Sequence, residues 1–105
     1  MNNINVIGRL TADPTMRTTQ SGKSVLSFSI AVNSGFGENE KTDFFDISLW
    51  EDYARSMSGI LTKGKQIGVT GEVHLKEFTD KSNNTYRGLE ITNAQITLCG
   101  KKDDQ

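Results

Sequence analysis

The sequence predicts an all-β protein built as a five-stranded Greek-key barrel, with one short α-helix between strands 3 and 4. Two observations carry this prediction. Stretches in which apolar and polar residues alternate recur along the 105-residue chain; they are typical of half-buried strands, and turn-forming Gly, Ser and Asn separate them. A single segment, EDYARSMSGILTKG, instead repeats its apolar residues at helical spacing.

The first two strands enclose a turn-rich segment. The first strand covers residues 3–10, and Ile7 is the one large apolar residue on its polar face. The segment TADPTMRTTQSGK then turns the chain, because Pro14 cannot join a central ladder and Ser21-Gly22 is a turn pair. The second strand follows over residues 24–33.

The third strand, in the segment TDFFDISLWEDY, separates two kinds of aromatic residue. One face is apolar and holds Phe45, Ile47 and Leu49. The other face alternates aromatic with polar residues, namely Phe44, Asp46, Ser48 and Trp50. Burying this second face would place a carboxylate in the core, which is costly without a partner. We therefore predict that its two aromatic side chains are exposed and form a platform for a flat ligand.

Two other phenylalanines illustrate the same contrast. Phe28, in the second strand, shares its register with Leu26 and Ile30 and is predicted to be a core residue. The fourth strand begins near Gln66 and places Phe78 among polar residues. Phe78 is therefore predicted to be exposed.

The helix and the last strand complete the barrel. The helical segment carries Glu51 and Asp52 at its N-terminus, Lys63 near its C-terminus and Gly64 as a left-handed cap. The polar stretch DKSNNT forms a loop before the fifth strand, whose register slips around residues 92–94 and indicates a bulge. Three strands, a helix and two strands is the order of a five-stranded Greek-key barrel of the OB type.

Composition limits the class of protein. With 34% hydrophobic residues the chain supports one modest core, and we place one domain at residues 1–100, followed by a short, polar, frayed end at 101–105. Membrane-spanning runs and a secretion signal are missing, so we expect a protein of the bacterial cytoplasm or nucleoid, without a membrane partner. The one cysteine, Cys99, is expected to be a small packing residue.

The placement of charges, rather than their balance, indicates the ligand. With 12 basic and 13 acidic side chains, the formal net charge of −1 gives no support for a polyanionic partner. Single-stranded nucleic acid, however, needs spaced aromatic residues with cations between them, and each stacked base contributes about 1–3 kcal/mol. The candidate stacking residues are Phe36, at the tip of the loop SGFGENEKT, Phe44, Trp50 and Phe78. The candidate phosphate contacts are Arg9, Arg17, Lys23, Lys63, Lys65, Lys76 and Arg87, with His74 as a weak donor.

Other interpretations of these residues stay open. The aromatic side chains are consistent with core, lid or interface packing, which would make the protein an oligomeric scaffold or adaptor, and the lysines with a solubilising surface. A metal-dependent nuclease would need carboxylate ligands or a histidine base, for which the candidates are Asp43, Asp46, Glu51, Asp52 and His74. Because no Cys-His spacing or phosphate-cradling loop accompanies them, we predict no enzymatic activity, no cofactor and no metal.

These segments resemble the bacterial and phage single-stranded DNA-binding protein family over nearly all of residues 1–100. The opening NVIGRLTADPTMRTTQSGKSVLSFSIAVN is similar to the family's first strands, LTKGKQIGVTGEV to its helix end and fourth strand, and HLKEFTD to its aromatic-bearing segment. The family's base-stacking positions fall on Phe36, Phe44, Trp50 and Phe78. The resemblance implies a non-enzymatic OB-fold protein that binds and protects single-stranded DNA, largely independently of sequence, in replication, recombination or repair.

The resemblance also implies partners. Family members form homo-oligomers, so we expect a tetramer of paired dimers, or a dimer, and Ile7 suits a strand-to-strand contact. The family's acidic, aromatic-tipped tail, which recruits replication proteins, has no counterpart in KKDDQ. Three of the four stacking positions carry Phe where Trp is frequent, which predicts a smaller contact area per base. A phage or plasmid version, a trimmed chain and a tail-less relative of the primosomal replication type stay open as alternatives.

Overall fold

The alternating segments fold into a closed barrel. The computed structural model describes residues 1–99, which contain six strands and one α-helix. In chain order these are β1 (Ile4–Leu10), β2 (Thr15–Thr18), β3 (Ser24–Ser34), β4 (Lys41–Trp50), α1 (Glu51–Ser58), β5 (Gln66–Thr79) and β6 (Thr85–Leu98). A short 3-10 turn, Gly37–Asn39, connects β3 to β4. The predicted frayed end at 101–105 lies outside the described residues.

Five of the strands close the ring. Strand β1 pairs antiparallel with both β3 and β5, and β3 pairs with β4 and β5 with β6. A short parallel pairing of β4 with β6, in which Phe45 faces Leu89 and Ile47 faces Ile91, completes the circuit. This arrangement confirms the five-stranded barrel of the OB type with its helix ahead of the last two strands.

Strand β2 is an addition to the predicted set. Residues 11–23 were predicted as a turn, but residues 15–18 pair with β3 along its edge before the chain turns. The turn itself is confirmed at Gly22, which has a φ of +87° and donates its N–H to the Thr19 carbonyl oxygen at 2.9 Å. Two strands separated by so tight a turn form a hairpin, although β2 itself buries none of its side chains.

The inner faces of the strands form one hydrophobic core. Its fully buried side chains are Leu26, Ile30, Ile47, Leu49, Leu61, Ile67, Val69 and Ile91. Phe28 is 7% exposed and joins this cluster, as its register predicts. Because the barrel closes on this core, each strand that lines it has a fixed inner and outer face.

The helix is shorter than predicted. It ends at Ser58 with Gly59 as its C-cap, so the prediction that Gly64 caps the helix was wrong, as was the prediction that Lys63 lies at its end. The chain leaves the helix early because Leu61, 1% exposed, turns into the core. Gly64, with a φ of +84°, instead lies in a turn ahead of β5 and donates its N–H to the Leu10 carbonyl oxygen at 2.8 Å.

A bulge on β6 bends the outer part of the sheet. The register shifts between Thr70 and Glu72, so that Asn93 and Ala94 lie opposite Gly71. A Cβ atom at Gly71 would lie 2.6 Å from the Thr92 carbonyl oxygen, which explains why a glycine is required at this close approach. The predicted slip at residues 92–94 is therefore confirmed. Within residues 1–99, no helix is long and apolar enough to cross a membrane.

Candidate nucleic-acid interface

Strand β4 carries aromatic residues on both faces, buried on one face and exposed on the other. On the inner face, Phe45, Ile47 and Leu49 are all at most 6% exposed. On the other side, Phe44 is 58% and Trp50 49% exposed, as predicted from the alternation. We call this side, continued over the neighbouring strands, the outer face.

Rows of paired residues define the outer face, because cross-strand partners project on the same side. One row runs from Arg17 through Val25 to Trp50 across β2, β3 and β4. Val25, in the middle of this row, is only 7% exposed although it lies on the outer register. Trp50 itself is half exposed, and Arg17 lies in the same row with Val25 between them.

A second row crosses four strands and is polar. It runs from Ser29 through Asp46 and Glu90 to His74. In a third row, Arg9 on β1 pairs with Ala31, which in turn pairs with Phe44. The barrel thereby assembles Arg9, Arg17 and His74, which are distant in sequence, around the two aromatic residues of β4.

The turn after Trp50 is held by the residue that follows it. Glu51 adopts a φ of +55°, an uncommon conformation for a residue with a side chain, and begins α1 directly after β4. Its carboxylate accepts the Ser24 backbone N–H at 2.8 Å rather than capping the helix, whereas Asp52 forms an ion pair with Arg55. Trp50 thus lies at a junction anchored to β3.

Asp46 occupies the centre of the outer face, in the same register as Phe44 and Trp50. Its carboxylate accepts a hydrogen bond from Ser29 Oγ at 2.5 Å and lies 3.0 Å from Lys76 Nζ. Burial raises the pKa of Asp46, but the hydrogen bond from Ser29 and then the contact with Lys76 outweigh it and hold the pKa below its usual value. Lys76, a predicted phosphate contact, is therefore already paired.

The outer hairpin, residues 76–79 and 85–88, adds a second aromatic pair. Phe78 pairs across the strands with Tyr86, with ring centroids 5.1 Å apart, and the two are 56% and 47% exposed. Tyr86 Oη donates to Asp80 Oδ2 at 3.1 Å. The hydrogen bond from the Asn84 backbone N–H is the main reason that the pKa of Asp80 lies below its usual value, and that carboxylate also accepts the Ser82 N–H. The turn that supports the two rings is thus hydrogen-bonded throughout.

Tyr86 is an exposed aromatic residue of the outer face that the sequence analysis missed. The segment TYRGLEI alternates Tyr86 with the inner residues Leu89 and Ile91, and this alternation marks it as an outer-face residue. The predicted fifth strand, however, was not extended upstream of Leu89. Its start at Thr85 makes the cross-strand contact with Phe78 possible.

A shallow cavity lies at the centre of the outer face. It has a volume of about 370 Å³. Its lining includes Arg17, Ser27, Ser29, Asp46, Ser48 and Lys76. A smaller cavity of about 110 Å³ continues from Asp46 and Lys76 to Phe78 and Tyr86. Phe36, 91% exposed, lies apart from both cavities at the tip of the β3–β4 loop.

Several predicted cations lie at the margins. Arg9 Nη1 donates to the Gly64 carbonyl oxygen at 3.0 Å, which brings Arg9 next to Lys63 and Lys65 in the turn before β5. Lys23 lies in the β2–β3 turn, one residue before the Ser24 that binds Glu51. Within residues 1–99, the side chains of Arg17, Lys23, Lys63 and Lys65 form no ion pair.

Besides Lys76, two of the predicted phosphate contacts lie close to carboxylates of the protein. Arg87 alternates with Tyr86 and so projects from the opposite side of the outer hairpin, where its Nε lies 3.0 Å from Glu77 Oε2. His74 Nε2 lies 3.5 Å from Glu72 Oε1. Among the predicted phosphate contacts on β5 and β6, Arg87 is therefore the one whose register is opposite to that of Phe78, although it borders the smaller cavity.

The carboxylates that a nuclease would need are not gathered at one place. Across the described part of the chain, no three His, Cys, Asp or Glu side chains lie close enough together to hold a metal ion. Asp46, Glu51 and Asp52 each have a partner within the protein, as described above.

Comparison with known proteins identifies the family. Residues 1–99 match the sequence profile of the single-strand binding protein family. A single-stranded DNA-binding protein of Oceanobacillus iheyensis is 30% identical over 108 residues, which cover 100% of this chain and 67% of that protein. Single-stranded DNA-binding protein 1 of Staphylococcus aureus is 40% identical over 107 residues, which cover 98% and 68%. The chain thus spans about two thirds of the length of these relatives.

Solved structures show the same fold. A Plasmodium falciparum SSB in complex with ssDNA superposes with a TM-score of 0.80 at 22% identity, covering 95% of this chain and 96% of that one. A small single-stranded DNA-binding protein of Streptomyces coelicolor gives a TM-score of 0.78 at 20% identity, covering 92% and 93%. With its profile match over residues 1–99, this chain belongs to the single-strand binding protein family.

Proposed function

We propose that this protein binds single-stranded DNA, largely independently of sequence, and protects it during replication, recombination or repair, without acting as an enzyme. The observation that carries the proposal is the outer face of β4, where Phe44 and Trp50 are exposed while the alternate residues fill the core. Exposed rings at fixed spacing stack unpaired bases whatever their identity. The names of the relatives and the family match support this proposal.

In this proposal, aromatic residues bind the bases and arginine residues bind the phosphates. Bases stack on Phe44 and Trp50 and continue onto the outer hairpin, where Phe78 lies against Tyr86. Arg17, in the row of Trp50 and without an ion pair in the described residues, is the best-placed phosphate contact, and Arg9 approaches from the side of Phe44. Phe36 adds a further ring from a loop, where it has the freedom to follow the strand.

Fluorescence anisotropy of a labelled oligo-dT tests the proposal. We expect saturable binding at low salt, preference over duplex DNA of the same length, and weaker binding as salt rises, because neutralised phosphates release counterions. Equal affinity for duplex and single strands, or no binding at low salt by folded protein, would contradict the proposal. The second result would favour a protein-binding adaptor.

We also propose that copies of the chain associate, as a tetramer of paired dimers or a dimer, and that residues 1–100 form the binding domain. Ile7 is 58% exposed on the outward side of β1 and borders a groove of about 330 Å³ that Thr70 and Thr97 also line. Sedimentation equilibrium of the wild-type protein and of Ile7→Lys tests the contact. A charge in such a contact should shift the population toward smaller species. The proposed location is the bacterial cytoplasm or nucleoid.

A further inference from the structure

A carboxylate lies where the proposed DNA track crosses the barrel. Asp46 shares the outer face with Phe44 and Trp50 and lines both cavities of that face, the smaller of which extends to Phe78 and Tyr86. Its charge has the sign of the ligand's own backbone, so it opposes the approach of a phosphate. A phosphate that contacts Lys76 also meets the carboxylate oxygen that lies 3.0 Å from Nζ.

Asp46 binds Lys76, the cation that would otherwise be free to contact the DNA. Ser29 and Lys76 bind different oxygens of the carboxylate, at 2.5 and 3.0 Å. Among the described residues, the Lys76 bond is the one side-chain hydrogen bond that joins the outer hairpin to the barrel wall. Both side chains are nevertheless open to solvent, with 40% of Lys76 and 45% of Asp46 exposed. Solvent weakens such an ion pair, which leaves Lys76 within reach of a competing anion.

We propose that Asp46 competes with DNA phosphates for Lys76, so that Lys76 contributes less than a full phosphate contact in the wild-type protein. This inference rests on the proposed function. In the free protein Lys76 is paired with the Asp46 carboxylate. A DNA phosphate that binds Lys76 has to replace this carboxylate. Asp46 thereby lowers the affinity for single-stranded DNA and moderates its dependence on salt.

The protein offers a matched control for this pair. Glu77 and Arg87 form an ion pair of the same length, 3.0 Å, on neighbouring residues of the same hairpin. The alternation of the strand places them on the opposite side from Lys76 and Phe78. Asp46→Asn and Glu77→Gln thus remove the same charge, but only the first does so on the outer face.

Oligo-dT affinities of the two variants, measured from low to high salt, test the proposal. We expect Asp46→Asn to bind about two- to fivefold more tightly, the range in which exposed ion pairs fall. The slope of log affinity against log salt should steepen by up to about 0.7, the value for one more phosphate contact on a single strand. Glu77→Gln should bind within about twofold of wild type.

A double-mutant cycle with Lys76→Gln separates competition from structural effects. Lys76→Gln should cost more affinity in the Asp46→Asn background than in the wild type, because only there is the lysine free. Equal costs in both backgrounds, weaker binding by Asp46→Asn, or an equal gain in Glu77→Gln would overturn the inference. Circular dichroism and thermal unfolding of each variant check that it is folded. An absence of wild-type binding would overturn the proposed function as well, whereas wild-type binding with no response to Asp46→Asn would overturn this inference alone.

Discussion

The two aromatic pairs of the proposed interface differ in how the surrounding structure holds them in place. Phe44 and Trp50 project from β4, which is paired on both sides and whose other face is buried in the core. Phe78 and Tyr86 project from the outer hairpin, whose residues pair only with one another and where no side chain is buried. Leu75, the residue before the hairpin, lies on the opposite side from Phe78 and is 81% exposed.

From this difference we expect the proposed interface to combine a rigid part with an adaptable one. The positions of Phe44 and Trp50 follow from the packing of the barrel, since a shift of β4 by one residue would bury them and expose its core side chains. The outer hairpin has no core beneath it, and segments with few buried contacts open at low free-energy cost. We expect the barrel pair to set where DNA binds and the hairpin pair to adjust to it.

The largest effect should come from the inner face of β4. Ile47, 1% exposed, packs at the centre of the core, and Ile47→Ala should lower the free energy of unfolding by about 2–5 kcal/mol through lost burial and the cavity left behind. Ser48→Ala, one residue away on the outer face, should change it by less than about 0.5 kcal/mol. Urea unfolding measures both. Similar values for the two variants would contradict the separation of the faces.

Trp50→Ala should act on binding rather than on stability. Loss of one stacked base costs about 1–3 kcal/mol of binding free energy, whereas the half-exposed ring contributes little to the core. Anisotropy with oligo-dT and urea unfolding on the same protein measure the two quantities, and Trp50→Phe, which keeps a ring, should retain most of the affinity. A large loss of stability with unchanged affinity would place Trp50 in the fold instead of the interface.

On the outer hairpin, Tyr86→Ala should weaken binding by about 1 kcal/mol. Removing the ring takes away the support of Phe78, and an aromatic pair of this geometry contributes about 0.5–1.5 kcal/mol. Global unfolding should stay unchanged, because the hairpin buries no side chain. Tyr86→Phe, which loses only the hydrogen bond to Asp80, serves as the control. An equal loss in Tyr86→Phe would assign the effect to the turn and not to stacking.

Two arginines test the difference between the sides of the interface. Arg17→Gln should reduce the magnitude of the salt slope by about 0.7, the value for one phosphate contact on a single strand, because Arg17 lies in the row of Trp50. Arg87→Gln should leave the slope unchanged, since the hairpin register turns Arg87 away toward Glu77. Binding measured at several salt concentrations gives both slopes. The opposite ranking would show that DNA follows the other side of the hairpin.

The smallest effect concerns acid stability. Because Asp46 has a lowered pKa in the folded protein, the unfolded chain takes up its proton first as the pH falls. Its contribution to stability is fully present above about pH 4, the ordinary range of an aspartate, and disappears as the pH falls through the lowered value. Solvent screening keeps this contribution below about 1 kcal/mol. Asp46→Asn should therefore flatten the acid limb of a plot of unfolding free energy against pH, and an unchanged limb would contradict the account.

The sequence predicts the parts of this molecule that depend on alternation. The faces of β4, the core position of Phe28 and the bulge near Asn93 all follow from a period of two residues and its interruption. The helical spacing of apolar residues continues through Leu61 and therefore did not reveal that the helix ends at Ser58. Leu61 is buried in the barrel core instead of extending the helix. Tertiary packing decides such boundaries.

The exposure of Phe44, Trp50 and Phe78 was predictable, but the pairing of the charges on the outer face was not. Lys76 and Arg87 are equivalent as sequence candidates, yet Asp46 on another strand holds one of them and Glu77 the other. These pairs depend on the barrel register, which joins residues 30 positions apart in the case of Lys76 and Asp46. A contact at that separation leaves no local pattern in the sequence.

The central claim is that Trp50 stacks on a base of single-stranded DNA, and its fluorescence tests this most directly. The chain has a single tryptophan, so its emission reports on this position alone. Titration with oligo-dT at low salt should quench the emission to a saturating level, duplex DNA of the same length should quench it less, and added salt should restore it. Unchanged emission from folded protein at low salt, while anisotropy shows the DNA to be bound, would contradict the claim.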